Sequence, residues 1–157
     1  MNNQKGFSLI EMMVVIAVIS ILAGIAIPNA ISWRSNSQIG AAAREIMTDL
    51  QRARMEAIKR NRNVEAIFTT GKGASSTIKD LTSDAILSGT SYSGGVEVNI
   101  AQGERFIFNS RGLPVDENNQ PVGHDDENKE SINIELTNGK RNITVEVTVA
   151  GSISIQH

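Results

Sequence analysis

Glu11 is the side chain whose setting most invites a chemical reading. It stands at the entrance to residues 12–33, a run without a single charge. As a helix that run would be roughly 33 Å long, about the thickness of a bilayer's hydrocarbon core. An unpaired carboxylate at such a place is costly, and intramembrane charges mark functional positions. The chemistry open to it is electrostatic. It can neutralise a cation in apolar surroundings, or, with no partner, take up a proton or be drawn to the interface.

The other groups able to do chemistry are less well arranged. Arg52, Arg54, Lys59, Arg60 and Arg62 form a basic cluster, but helical spacing scatters them around the barrel. Near a helix C-terminus such cations favour the macrodipole instead of forming one phosphate-binding face. Asp116, Glu117, Asp125, Asp126 and Glu127 could offer oxygens to calcium, yet their spacing fits no EF-hand and predicts a solvated loop. His124 and His157 lack a partner pattern for zinc or catalysis. There is no cysteine, which excludes disulfides and thiolate metal sites. Without a nucleophile elbow, a phosphate-binding loop or a His-Glu-x-x-His pair, an enzyme lacks its parts, and neither catalytic residues nor a cofactor is expected. Asn142-Ile143-Thr144 reads as strand residues more than as a glycosylation site.

These residues have to be placed by a chain of 157 residues, 40% apolar and 20% charged, with net charge -2. That composition suits one globular domain behind the N-terminal apolar run and provides no general basic field for nucleic acid. Lys5 is the only charge ahead of Gly6, and the next cation after it is Arg34, which favours an N-terminus held inside. The uncharged run is longer than the core of a cleaved secretory signal, and a glutamate at its entrance is foreign to one.

Beyond residue 33 the apolar residues Ile39, Ala43, Ile46, Leu50, Ala53 and Ala57 recur in steps of four and three, one stripe of an amphipathic helix. Arg44, Asp49, Arg52, Glu56 and Lys59 are assigned to its opposite, polar face. The two segments read as one long helix over about residues 7–60, with a kink or local melting at Gly24 and Pro28. After Asn63 the period changes to two. Val64, Ala66 and Phe68 predict a strand, Gly71-Lys72-Gly73 a turn, and Val96, Val98 and Ile100 another strand. Residues 74–93 give a weak signal, with a short strand or helical turn near 78–87. Phe106 and Phe108 share a strand face before Arg111-Gly112-Leu113-Pro114 ends it. Residues 132–149 form the clearest hairpin, with Asn138-Gly139 predicting a type I′ turn, and a last strand falls at 152–156. The fold class is therefore α+β: one long N-terminal helix whose apolar stripe packs under a mostly antiparallel sheet.

Gly6-Phe7-Ser8-Leu9-Ile10-Glu11 and the apolar run to Pro28 closely resemble the processing signal of type IV pilins and type II secretion pseudopilins. The resemblance implies that a prepilin peptidase cuts after Gly6, that Phe7 becomes the methylated N-terminus, and that subunits polymerise from the inner membrane through an assembly platform. It implies three segments: a leader 1–6, a transmembrane and assembly half of the helix at 7–33, and a head at 34–157 made of helix 34–62 and sheet 63–157. The N-terminus would be cytoplasmic and the head periplasmic. Once the cut is made, Phe7 gains an ammonium group one helical turn from Glu11. Between neighbouring subunits the two could pair and fix the stagger of their helices. Glu11 and Pro28 are thus the expected assembly residues.

Leu50-Gln51-Arg52-Ala53-Arg54-Met55-Glu56-Ala57-Ile58-Lys59-Arg60-Asn61, Phe106-Ile107-Phe108-Asn109-Ser110-Arg111-Gly112 and the final strands about Gly151 resemble the GspH, FimT and FimU group of minor pseudopilins and pilins. That group implies a structural subunit acting in filament initiation, capping or specialisation. The alternative is a filament-displayed receptor for DNA or a surface. DNA-binding members carry Gly-Arg-x-Arg near the C-terminus, where this chain has Gly151-Ser152-Ile153-Ser154, so nucleic acid is not an expected partner.

Overall fold

The computed structural model describes residues 7–92, 96–100, 105–122 and 131–156. The chain divides into two compact units, residues 1–35 and 36–157. A single helix, α1 (Leu9–Arg60), supplies the described secondary structure of the first unit and the only helix described in the second. Its assignment is unbroken through Gly24 and Pro28, so the local melting expected there does not occur. The proline forfeits one intrahelical hydrogen bond without interrupting the assigned helix.

Both ends of α1 are chemically capped. At the start, Ser8 Oγ accepts the backbone N–H of Glu11 at 3.3 Å, in a Ser-x-x-Glu sequence that matches a capping box. At the other end Asn61 adopts φ 52°. The Asn61 N–H reaches the Ile58 carbonyl and the Arg62 N–H reaches that of Ala57, each at 3.2 Å. This is the Schellman arrangement, with asparagine tolerating the left-handed conformation.

In the first unit the apolar side chains of α1 are open: Ile10 is 71%, Ile25 73% and Trp33 75% exposed. This stretch is long and apolar enough to cross a membrane. In the second unit the predicted stripe Ile39, Ala43, Ile46, Leu50, Ala53 and Ala57 is wholly buried.

That stripe is covered by two antiparallel sheets where one was expected. The first contains β1 (Val64–Phe68), β3 (Ser75–Asp80), β4 (Ile86–Ser91), β6 (Arg105–Phe108) and β7 (Pro114–Val115), in the order β4-β3-β1-β6-β7. The second contains β2 (Gly71–Lys72), β5 (Glu97–Ile100), β8 (Ser131–Thr137), β9 (Asn142–Thr148) and β10 (Ile153–Gln156), in the order β10-β9-β8-β5-β2. Alternation decides what each contributes. Val64, Ala66, Phe68, Ile78, Phe106 and Phe108 enter the core from the first sheet, and Val98, Ile134, Leu136, Ile143, Val145 and Val147 from the second. Each fully buried Val, Leu, Ile or Phe side chain contributes about 1.5–3 kcal/mol. Phe68 and Phe106 meet edge to face with centroids 5.6 Å apart, the favoured aromatic geometry.

The weakly read stretch resolves into a hairpin. β3 and β4 pair over Ser75↔Ser91 to Lys79↔Ile86, with an irregularity at Ile78/Lys79. The reversal between them is built on Asp80, whose Oδ1 accepts the N–H groups of Thr82 and Ser83. The Thr82 bond is the leading reason its carboxyl is held below the ordinary value of 3.8. Gly71-Lys72, expected as a turn, instead pairs as a short strand with β5.

The β8–β9 turn also differs from expectation. Thr137 pairs with Asn142 and the Asn138 N–H reaches the Arg141 carbonyl. Gly139 and Lys140 are therefore the central residues, and of these only Gly139 has positive φ, at 80°. That is the pattern of a II′ turn, not of I′. The Asn138 side-chain oxygen accepts the N–H groups of Lys140 and Arg141, which holds Asn138 at the end of the strand instead of inside the turn.

Candidate assembly site

Gly6 lies outside the described residues. Phe7 is 77% exposed, and Glu11 occupies the third helical position of α1 beyond the Ser8 cap. Among the described residues Glu11 makes no ion pair. Its position places its carboxyl where the positive end of the helix dipole favours a negative charge. The Ser8 cap has a local sequence signal of its own, the Ser-x-x-Glu spacing. The N-terminal end of α1 thus combines an ordered helix start, a carboxylate one turn in, and a surface of exposed apolar side chains. Such a surface associates with lipid or with similar helices.

The other candidate groups are dispersed. Arg52 Nη1 donates to Ser88 Oγ at 2.9 Å and Arg54 Nη1 to the Gly151 carbonyl at 2.6 Å. Lys59 and Arg60 both pair with Glu56, whose pKa is lowered chiefly by the Arg60 hydrogen bond. Arg62 adds a lesser electrostatic pull on Asp80. The basic cluster is therefore engaged on several faces of the helix and makes no single anion-binding surface. Asp116 turns its Oδ1 to the N–H groups of Asn118 and Gln120, and Glu117 pairs with Arg105 at 3.4 Å. Arg105 also meets the buried Glu65 at 3.0 Å. Asp125, Asp126, Glu127, His124 and His157 lie outside the described residues.

One assignment has to be corrected. Asp49, placed on the polar face of the helix, is only 5% exposed. Its Oδ2 accepts the hydroxyls of Ser76 at 2.5 Å and Tyr92 at 2.9 Å, and its Oδ1 that of Thr90 at 3.3 Å. The β3–β4 hairpin lies over that side of the helix, and three hydroxyls satisfy a carboxyl that burial would otherwise penalise. Burial in turn pushes the Tyr92 hydroxyl well above its ordinary value of 10.0. Beside Asp49 a cleft of about 430 Å³ is lined by Ala41, Arg44, Glu45, Thr48, Arg52 and Thr90.

A second tie joins distant segments. Gly151 has φ 76°, and a Cβ there would stand 2.6 Å from the Gly112 carbonyl oxygen. A Cβ on Gly112 would meet Ile58 at 2.7 Å and Arg54 at 3.0 Å. Two glycines therefore let the β9–β10 turn and the turn after β6 close onto Arg54 of α1.

An N-terminal helix with an open apolar half, whose other half lies in one core with antiparallel sheets, defines the class of pilin-like subunits. Two sequence profiles match the chain: the prokaryotic N-terminal methylation motif over residues 1–27, and type II transport protein GspH over residues 42–151. The chain belongs to the GspH family, within the type IV pilin and type II secretion pseudopilin superfamily.

Among curated relatives, a fimbrial protein of Moraxella nonliquefaciens is 35% identical over 103 residues, 59% of this chain and 67% of that protein. The type IV major pilin protein PilA of Myxococcus xanthus is 33% identical over 120 residues, 72% of this chain and 45% of its own length. A fimbrial protein of Pseudomonas aeruginosa is matched over only 30% of its length, at 48% identity. The fold is shared with the type IV minor pilin FimU of Pseudomonas aeruginosa. Its two crystal structures align with TM-scores of 0.60 and 0.57, at 19% and 18% identity. These alignments cover 80% and 75% of this chain, and 92% of FimU in each case.

Proposed function

We propose that this chain is a minor pilin or pseudopilin, a structural subunit that helps to initiate, cap or specialise a filament assembled from the inner membrane. The observation that carries this is the open apolar half of α1 with Glu11, unpaired among the described residues, at its entrance. Before assembly the bilayer takes up that surface, with residues 7–33 as the span, the N-terminus cytoplasmic and the head of residues 34–157 periplasmic. Prepilin peptidase removes residues 1–6 and the Phe7 amine is methylated. Neighbouring subunits then replace lipid, and Glu11 neutralises the ammonium of an adjacent chain, which sets the register between helices. Pro28, which has no backbone N–H to give the Gly24 carbonyl, is the second position assigned to that assembly.

The test separates processing from assembly. Gly6→Ala blocks maturation, read as the larger precursor on an immunoblot in cells that contain the peptidase. Glu11→Val leaves cleavage intact but depletes the subunit from sheared filaments. Normal maturation of Gly6→Ala removes the processing claim, and wild-type incorporation of Glu11→Val removes the pairing claim.

A further inference from the structure

Trp33 is the only tryptophan of the chain and the last residue of its charge-free run. It belongs to the first compact unit, is 75% exposed and is no member of the buried core. Tryptophan is a large apolar ring with one N–H donor, and a folded domain normally covers most of it. Arg34 follows, also exposed, and its side chain makes no hydrogen bond or ion pair among the described residues. Next come Ser35-Asn36-Ser37-Gln38, and the wholly buried stripe begins only at Ile39. The boundary between apolar and polar chain is thus marked by an open aromatic and an open cation, side by side.

Glu11 supplies the distance scale. Trp33 lies 22 residues beyond it on an unbroken helix, which is about 33 Å. At a common tilt of about 20° that length projects to roughly 31 Å along the bilayer normal. The hydrocarbon core is about 30 Å thick, and the headgroup layers bring the total to about 40–45 Å. With Glu11 at one edge of the hydrocarbon, Trp33 therefore reaches the other edge and Arg34 enters the headgroup layer beyond it. The exposed aliphatic residues before them, such as Ile25 and Ile31, suit acyl chains and neighbouring helices equally. The Trp-Arg pair does not, because an indole N–H seeks a half-wet layer and a guanidinium seeks phosphate.

We propose that Trp33 and Arg34 form a phospholipid-headgroup site that anchors the unassembled subunit at the bilayer face opposite its N-terminus. The indole ring lies level with the lipid ester groups, its N–H donating to their oxygens, and the Arg34 guanidinium meets a lipid phosphate. Anionic headgroups strengthen that attraction. Helix depth is then fixed at both ends, so every membrane-held subunit presents Glu11 at the same level to a growing filament. The proposal rests on the reading of residues 7–33 as the span of a filament subunit.

As the sole tryptophan, Trp33 is its own fluorescent reporter. The full chain is reconstituted in vesicles of phosphatidylethanolamine and phosphatidylglycerol whose acyl chains are brominated either close to the headgroup or close to the chain ends, with iodide as the aqueous quencher. Ile25→Trp in a Trp33→Phe background moves the reporter about 12 Å along the helix into the span. The expected result is that bromines close to the headgroup quench Trp33 several-fold better than deep ones, and that the reporter at position 25 shows the reverse. Arg34→Glu sets a negative charge against the phosphates and should raise iodide quenching of Trp33 several-fold, whereas Arg34→Lys should keep the wild-type profile. Stronger quenching of Trp33 by the deep bromines, iodide quenching equal to that of the lipid-free chain in urea, or an unchanged profile in Arg34→Glu overturns the site. Shielding of Trp33 from iodide in sheared filaments but not in vesicles overturns it in favour of a contact between subunits. If neither bromine position quenches the reporter at position 25, the span itself fails, a result distinct from failure at Trp33 alone.

Discussion

Replacing Asp49 with alanine tests most directly how the β3–β4 hairpin is held to the helix. Ser76 is 2% and Tyr92 4% exposed, and both hydroxyls donate to Asp49 Oδ2. Removing the carboxyl leaves two buried donors unpaired, at about 1–3 kcal/mol each. The loss should be about 4 kcal/mol, a large part of the roughly 5–15 kcal/mol that holds a domain folded. With a urea dependence of about 2 kcal/mol per molar, the unfolding midpoint should fall by about 2 M. The assay is pulse proteolysis of the full chain in detergent across a urea series, scoring survival of the head. Tyr92→Phe removes one donor and leaves the carboxyl with the others, so it should cost only about 1 kcal/mol. A midpoint for Asp49→Ala within about 0.3 M of wild type, under about 0.6 kcal/mol on that dependence, would show that the three hydroxyl bonds do not secure the hairpin.

Gly151→Ala should cost about 2–4 kcal/mol, from its left-handed φ and from a Cβ driven onto the Gly112 carbonyl. Gly139→Ala, with φ 80° and open space around it, should cost only about 1–2 kcal/mol in the same urea series. Tyr92 is the only tyrosine and its folded pKa is raised, so its contribution to stability is intact below about pH 10.0 and lost as pH climbs above that value. The urea midpoint should decline from there upward with phenolate absorbance appearing only on unfolding, and Tyr92→Phe should flatten the decline. The full chain in detergent should give no salt-dependent mobility shift with duplex DNA, because Arg52, Arg54 and Arg60 of the basic cluster are engaged with Ser88, the Gly151 carbonyl and Glu56.

The sequence by itself determined the local physics. Residues 12–33 were legible as a stretch long and apolar enough to cross a membrane, because charge-free length is a property of consecutive residues. The stripe from Ile39 to Ala57 and the alternation in β1, β6, β8 and β9 were legible because period and face are set by neighbours a few positions away. The Gly6-Phe7 and Glu11 signal was readable for the same reason, and so was the Ser8 cap, although only a search for capping patterns would have found it.

Tertiary structure decided what depends on partners far along the chain. Asp49 reads as a surface residue from its place on the helix, and becomes a buried acceptor only because residues 27 to 43 positions later fold over it. Arg54 finds its acceptor 97 residues away at Gly151, and no periodicity encodes that meeting. The division of the ten described strands into two sheets, and the position of β4 at an edge of the first, also lie outside any local pattern. Alternation tells which side of a strand faces the core, whereas strand order is chosen by which pairing buries those sides together.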